Sequence, residues 1–587
     1  MYNKTKIVCT LNSNQDIELF DQLIAAGMDV ARLNFSHMGI EDGKKLLTKL
    51  REVRKRRIGR ALAIMMDTKG PEVRLFGYLK NIIVLKGEII KIKSYLEDDI
   101  KEKELQEKNT LLTNLPAIGD KVAFNQKVLL MDGYIEGNVI EKSHDEIIIE
   151  LKNGGELRPK AHLTIPNINY DLPFLSKKDV TDISFAVEND FEYIALSFVS
   201  KKKDIYDVRK LITQLKPNSE IKLISKIENK EAVENLQEII NASDGVMVAR
   251  GDLGVELDIE DVPIIQKEII KKCYLSGKPV ITATQMLESM IDKPVPTRAE
   301  ASDVANACYD LTSAVMLSGE TAIGKYPRLV VETMNRIIGK VEASYRYDDF
   351  FSNLVKERLD RTSIIAYNAI STAYQLNAKA IMVFTLSGYS ARMVSKLRPG
   401  IPIYAFTPIE SVYNQLALNW GINPYLLHHK GNDFEKMIKL ALDLARKEEL
   451  VKQGDSVVIV AGLPMGKHGT TNMIRLETVE KATVTGKILH PGIVAAPIVH
   501  INSLEDLIES EINNKIVLLK NFDNSYLEYL KSAGGIVTEN EENVDILAYI
   551  AERSNIPTLI GAKYASEKIP NGTSAELNCD IGCIQDI

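Results

Sequence analysis

Residues 224–229 read ISKIEN, residues 248–254 read VARGDLG and residues 281–290 read ITATQMLESM. Each begins as a short aliphatic, β-branched run and ends in charged or hydroxyl side chains. Lys226, Glu228, Arg250, Asp252 and Thr284 therefore stand where strands stop and loops start. Helical spacing separates the runs, as in Ile264, Ile265, Ile269 and Ile270, so parallel strands joined by helices are expected. In a closed parallel barrel the C-terminal strand ends are where reactive groups gather. A lysine, two carboxylates and a hydroxyl converging there suit metal-assisted chemistry on an anionic substrate.

The same alternation extends in both directions. The strand-like runs are KIVCT (6–10), VARLNF (30–35), ALAIMMD (61–67), YIALSF (193–198), IKLISK (221–226), GVMVAR (245–250), PVITAT (279–284) and SAVMLS (313–318). Eight units with one insertion removed predict an α/β fold, a (β/α)8 TIM barrel. A doubly wound sheet is the alternative, with a lower usual strand count. The barrel is expected over residues 1–71 and 166–345, resuming in a helix capped by Ser176 with Asp179 three residues later. Between them, residues 72–165 carry short β runs punctuated by Gly87, Gly119-Asp120, Asp132-Gly133 and Gly154-Gly155, which predicts an inserted small β-barrel domain. Residues 346–474 read as a separate α/β domain, and residues 475–587 as a further α/β unit.

Composition narrows the function. A net charge of −7 argues against a general nucleic-acid binder. No apolar run approaches the roughly 20 residues that span a membrane, and MYNKTKIVCTL reads as a strand rather than a signal peptide. Five scattered cysteines predict a reducing, cytoplasmic setting; Cys579 and Cys583 have neither redox nor zinc spacing.

The strand tips are polar in a matched way. Arg32, Asn34 and Ser36 alternate along one face of strand two. Asp67, Thr68 and Lys69 end strand three, Lys226 and Glu228 strand five, Arg250, Gly251 and Asp252 strand six, and Thr284 and Gln285 strand seven. Glu228 and Asp252 on neighbouring tips suit one Mg²⁺ with positions left for substrate oxygens; an ion pair with Lys226 or Arg250 is the plainer use. Asn34, Ser36, Asp67 and Thr68 offer oxygens with a single charge, which suits a monovalent cation. Gly251 lets backbone N–H groups approach an anion, and Arg32, Arg74 and Arg250 supply positive charge for phosphate or carboxylate.

With these residues in view, ARLNFSH, MDTKGPEVR, ISKIEN, MVARGDLGVE, TATQMLESM, PTRAEASDVANA and MLSGETAIGKYP resemble pyruvate kinase, over residues 1 to about 474. The resemblance implies phosphoryl transfer from phosphoenolpyruvate to ADP, giving pyruvate and ATP. It implies that Lys226 steadies the transferring phosphoryl group, that Arg32 binds its phosphate, and that Gly251 and Asp252 hold the substrate carboxylate. Glu228 and Asp252 would hold Mg²⁺, and Asn34, Ser36, Asp67 and Thr68 would hold K⁺. Thr284 would help to protonate the enolate carbon, and Asn34, His37, Arg74 and Lys160 would face the nucleotide. Glu72 fits the potassium-dependent branch; the branch that needs no potassium carries lysine there. Two departures stand out: KAHLTIPN (160–167) replaces the family's lysine-glycine segment, and Met131-Asp132-Gly133 stands where an acidic pair is common.

The loop Thr385-Leu386-Ser387-Gly388-Tyr389-Ser390 opens a helix. It reads equally as a plain N-cap or as a phosphate cradle; the resemblance favours a phosphorylated allosteric effector held by Thr385, Ser387 and Ser390, in a homotetramer. Residues 475–587 resemble the swivelling phosphohistidine domain of enzymes that use phosphoenolpyruvate. Counting back from Ile556-Pro557, the serine-histidine pair of that domain falls on Asp545 and Ile546, so the phosphorylatable histidine is absent. A phosphotransferase working through histidine, and an inactive metabolite sensor, are the rival readings. Ile546 argues against the first, and intact Lys226, Glu228, Asp252 and Thr284 against the second.

Overall fold

The computed structural model describes residues 3–57, 59–95, 109–168, 170–353, 360–427, 434–462, 471–479, 483–542 and 544–586. Eight parallel strands close into a barrel: β1 (Lys6–Thr10), β2 (Val30–Asn34), β3 (Ala63–Asp67), β4 (Tyr193–Leu196), β5 (Lys222–Ile227), β6 (Gly245–Ala249), β7 (Val280–Ala283) and β8 (Ala314–Leu317). Each pairs with its sequence neighbour and β8 returns to β1. Val30, Ala63, Met65, Ala195, Ile224, Met247, Ile281 and Ala314 belong to one buried apolar cluster contributed by the strands. A second buries their alternate residues, such as Leu33, Ile64 and Val248, among the apolar stripes of the helices. The strands are thus largely apolar on both faces, and the polar and charged side chains of Asn34, Asp67, Lys226 and Glu228 gather towards their C-terminal ends, where the barrel opens.

The inserted segment forms a seven-stranded sheet, mostly antiparallel, with a two-stranded ribbon of Ile82–Val84 and Gly155–Leu157 beside it. It has its own core, in which Val128, Leu130, Ile147, Ile149 and Leu151 alternate inward. The chain re-enters the barrel through the helix Lys177–Glu188, where Ser176 and Asp179 form the expected capping box. Strands Ala380–Phe384, Ile403–Thr407 and Ile422–Leu426 are parallel neighbours.

The chain divides into two compact units, residues 1–374, 381–428 and 459–474 in one and 375–380, 429–458 and 475–587 in the other. Within the second, an eight-stranded sheet carries the strands from Thr483 onward, and Arg446 of the helix Phe434–Lys447 pairs with Asp586. The helix Val544–Ser554 places Ile546 in its first turn, 39% exposed. His490 bonds to Asn555 and His500 to the Ile569 carbonyl, so both histidines are engaged elsewhere. Cys579 and Cys583 are buried free thiols. No helix among the described residues is long and apolar enough to cross a membrane.

Candidate active site

The ends of β2, β3, β4 and β5 bring Arg32, Asp67, Ser197 and Lys226 into one buried network. Asp67 is 0% exposed, with Arg32 Nε 2.7 Å from Oδ2 and Lys226 Nζ 3.3 Å from Oδ1. Lys226 also lies 2.8 Å from Glu228 Oε1 and donates to Ser197 Oγ at 2.8 Å. Burial pulls the Lys226 ammonium down, but Asp67, Glu228 and Asp252 outweigh it and hold the group above the ordinary lysine range. Burial pushes the Asp67 carboxyl up, and Arg32 and Lys226 overcome it and hold it low. Asp67 and Lys226 thus each favour the charged form of the other, and hydrogen bonds hold them in place before any substrate arrives.

Glu228 is the unsettled member. Oε2 accepts the Phe198 N–H at 2.5 Å, while Oε1, though close to Lys226, is left without a well-directed hydrogen bond. Burial, with Asp252 adding to it, pushes its carboxyl upward against the pull of Lys226. A buried carboxylate oxygen with an unfilled lone pair, facing a second carboxylate, is the donor set a hard divalent cation completes. Among the described residues no cluster of three or more acidic, histidine or cysteine side chains could hold a metal by itself. Substrate oxygens or water would have to fill the remaining positions.

Asn34, Ser36 and Thr68 stand beside Asp67. The Phe35 N–H donates to the Asp67 carbonyl, the Ser36 N–H to Asn34 Oδ1, and Ser36 Oγ lies 3.5 Å from the Thr68 carbonyl. These oxygens around one carboxylate fit a weakly bound monovalent ion better than a divalent one.

On β6 and β7 the assignment divides. The Gly251 N–H donates to Thr284 Oγ1 at 2.9 Å, and that hydroxyl donates to the Ala283 carbonyl at 2.6 Å. Thr284 and Gln285 are both left-handed, with φ of 65° and 54°, a conformation β-branched threonine seldom adopts. Arg250 holds it there, donating to the carbonyls of Ala283 and Thr284 and pairing with Asp303 at 2.7 Å. Arg250 is therefore not the free anion ligand expected from its place at a strand tip. It is a positioning residue for Thr284. Gly70 has a similar local cause: φ is 69°, and a Cβ there would sit 2.8 Å from the Ser197 carbonyl.

Arg74 and Lys160 meet at the root of the inserted domain, where Arg74 bonds to Glu72 at 2.7 Å and to the Lys160 carbonyl at 2.8 Å. His37 lies nearby, its surface open to solvent on one side; partial burial and the charge of Arg74 lower its pKa. A cleft of about 740 Å³ runs between Glu228, Asp252 and Phe198 on the barrel and Val73, Asp132 and His162 on the insertion. His37, Arg74 and Lys160 do not line it.

His162, within the departing KAHLTIPN segment, was not singled out by sequence. It lies 3.0 Å from Asp132 and 3.4 Å from Glu72, with its ring edge on Phe198. Burial opposes its charge, yet Asp132 and Glu72 raise its pKa to about 9. Glu72 in turn is pulled down to about 2 by His162 and Arg74 despite its burial. Because the folded pKa exceeds the unfolded value of about 6.5, the stabilisation is complete below pH 6.5 and is lost as pH rises through about 9. The thermal midpoint should fall between pH 6.5 and 9.5, and His162→Gln should flatten that part of the profile. An unchanged slope in the variant would exclude His162 as its source.

Ser197 was also missed. It is the last residue but one of the YIALSF run, two residues beyond Ala195, and so falls under the same strand-tip rule that selected Lys226. In the α/β layer, Thr385 and Ser390 are buried, and Ser390 Oγ lies 2.7 Å from Thr471 Oγ1; Ser387 is part-exposed.

Family models for the barrel domain of pyruvate kinase match residues 2–331, for its alpha/beta domain residues 363–477, and for the mobile domain of PEP-utilising enzymes residues 512–582. Pyruvate kinase from Staphylococcus epidermidis is 38% identical over 586 residues, covering 99% of this chain and 98% of that protein. The Geobacillus stearothermophilus enzyme is 38% identical over 588 residues, covering 100% and 99%. The crystal structure of a pyruvate kinase from Cryptosporidium parvum superposes with a TM-score of 0.75 at 37% identity, covering 81% of this chain and 96% of the other. The chain belongs to the pyruvate kinase family and is a phosphotransferase that passes the phosphoryl group of phosphoenolpyruvate to ADP.

Proposed function

We propose that the transfer is direct and takes place at the mouth of the barrel, with Lys226 as the group that meets charge developing on the phosphoryl oxygens. The observation that carries this reading is the fixed setting of Lys226 between Asp67, Glu228 and Ser197. A charge already oriented needs no reorganisation at the moment of reaction. Arg32, held by Asp67 and by Thr10 Oγ1, is the second cation and takes the substrate phosphate. The N–H groups of Gly251 and Asp252 take the substrate carboxylate; the Gly251 N–H exchanges its bond to Thr284 Oγ1 for that anion. The released Thr284 hydroxyl then helps to deliver a proton, through water, to the enolate carbon. Asn34, His37, Arg74 and Lys160 belong to the nucleotide side.

Pyruvate kinases need divalent and monovalent cations; here we assign Mg²⁺ to Glu228 and Asp252, and K⁺ to Asn34, Ser36, Asp67 and Thr68. Bound Mg²⁺ would neutralise substrate oxygens as charge moves between them. Omitting each cation in turn from a coupled assay with phosphoenolpyruvate and ADP should abolish turnover in both cases. Full activity without K⁺ would sink the monovalent assignment. Glu72 is flanked by Lys69 at 3.7 Å, Arg74 at 2.7 Å and His162 at 3.4 Å. Glu72→Lys would therefore face cations on three sides. It should lower the thermal midpoint, and the ammonium it brings near the monovalent-cation position should weaken or abolish the K⁺ requirement. A K⁺ requirement as strict as that of wild type in that variant would contradict this.

The same reading includes a homotetrameric, cytoplasmic enzyme and a phosphorylated effector at Thr385, Ser387 and Ser390. The burial of Thr385 and Ser390 leaves Ser387 as the hydroxyl that an effector meets without rearrangement.

A further inference from the structure

We propose that Phe198 and His162 are positioning residues for the carboxylate of Glu228, so that the inserted domain sets the divalent-cation affinity of the barrel mouth by clamping one aromatic ring. The inference deepens the assignment of that cation to Glu228 and Asp252 and rests on it. Phe198 lies two residues past the end of β4, and its N–H donates to Glu228 Oε2 at 2.5 Å. That bond fixes one oxygen and leaves Oε1, buried and without a well-directed hydrogen bond, beside Lys226. Phe198 makes the bond from a left-handed backbone, with φ of 57°. A bulky residue rarely takes that conformation unless its surroundings impose it.

Two neighbours impose it here. On the barrel side the ring lies against the backbone of Gly70, where a Cβ would come within 3.2 Å of Phe198 Cδ2. The Gly70 N–H donates to Asp179 Oδ1 at 3.1 Å, so this wall is itself tied down. On the side of the insertion the ring meets the His162 imidazole edge-on, with centroids 6.5 Å apart and planes at 72°. The imidazole is not free to turn, because Asp132 lies 3.0 Å from Nδ1 and Glu72 3.4 Å from Nε2. The backbone of His162 is held as well: its carbonyl accepts from the Met131 N–H at 3.1 Å, and the residue bridges to Arg74. A run of fixed contacts therefore leads from the root of the insertion, through one ring, to a carboxylate oxygen at the barrel mouth. Glu72, Asp132, His162, Phe198 and Glu228 all line the same cleft. Without the His162 ring, Phe198 can relax towards the ordinary β region, and its N–H then turns away from Glu228. The carboxylate keeps its charge but loses its aim. Removing such an outer partner of a metal ligand typically weakens binding about 10–100-fold.

The test is Mn²⁺ binding to the full chain, read from the electron paramagnetic resonance signal of the free ion. His162→Gln removes the ring and should raise the dissociation constant about tenfold. Asp132→Asn, at a side chain 62% exposed, loosens the imidazole without opening a cavity and should raise it by a smaller factor. Phe198→Gly removes the clamped ring yet takes positive φ freely. Adding His162→Gln to Phe198→Gly should therefore cost nothing further, a non-additivity that action through Phe198 requires. In the coupled assay His162→Gln should raise the Mg²⁺ concentration for half-maximal rate by a similar factor, with kcat at saturating Mg²⁺ nearly unchanged. A purely structural role predicts a lower saturating kcat with an unchanged Mn²⁺ constant. That result would overturn the proposal, and so would full additivity in the double variant. Glu228→Gln separates the two levels of the inference. If it leaves Mn²⁺ binding intact, the metal assignment falls and the clamp with it. If it abolishes binding while His162→Gln and Asp132→Asn bind as wild type does, the clamp alone falls.

Discussion

Lys226→Met should lower kcat by at least about a thousandfold while leaving divalent-cation affinity nearly unchanged. The ammonium is one of two cations in the buried network, and it alone bridges the Asp67 side to the Glu228 side. A methionine fills a similar volume and removes only the charge, so the packing around Ser225 and Ile227 should persist. The phosphoryl group carries more separated charge in the transition state than in the ground state, and an interaction that strengthens on the way up appears in kcat rather than KM. Glu228 would lose its neighbouring cation in the variant, which favours metal binding if it changes it at all. Stopped-time assays with saturating substrates, alongside metal titration, separate the two effects. A variant that keeps a tenth of wild-type kcat would remove Lys226 from this role.

Asp67→Asn should cost both stability and turnover. Asp67 is fully buried and serves Arg32 and Lys226 with different oxygens. Removing its charge leaves two buried cations facing each other, and breaking a buried pair in this way costs about 3–5 kcal/mol. The sign with pH follows from its depressed pKa. The stabilisation is present above the unfolded value of about 3.9 and is lost as pH falls towards the folded one. The stability difference between wild type and the asparagine variant should therefore be largest above about pH 4 and shrink as pH falls further, with the variant the less stable protein at neutral pH. Urea or thermal melts across pH 3–8 measure this. A variant as stable as wild type at pH 7 would show that the network is not held by Asp67.

The barrel was legible because its strands follow a local tendency: mostly apolar on both faces, with polar side chains concentrated at the tip. That pattern located Arg32, Asp67, Lys226, Glu228, Asp252 and Thr284 without any contact information. It could not say what each tip residue touches. Arg250 has the same sequence signature as Lys226, yet its partner is Asp303, 53 residues away on a helix of the barrel wall. Spacing along the chain carries no record of such a pairing. His162 was passed over because its neighbours, Glu72 and Asp132, lie 90 and 30 positions earlier, and all three meet only when the inserted domain closes on its own root. The strand Ile422–Leu426 was missed for a local reason, since Pro424 interrupts its pattern. Proline is tolerated there because the strand lies at the edge of its sheet. The limit drawn at residue 474 follows composition. The helix Phe434–Lys447 groups instead with residues 475–587, through contacts such as Arg446 to Asp586 that a linear reading cannot see.

The claim of direct transfer at the barrel mouth is tested most directly by the stereochemistry at phosphorus. Phosphoenolpyruvate made chiral with three oxygen isotopes is converted by the full chain, and the configuration of the γ-phosphoryl group of the ATP is determined. One in-line displacement between substrates held beside Lys226 predicts inversion. Transfer by way of a protein side chain, such as a histidine of residues 475–587, takes two displacements and gives retention, and retention would contradict the account.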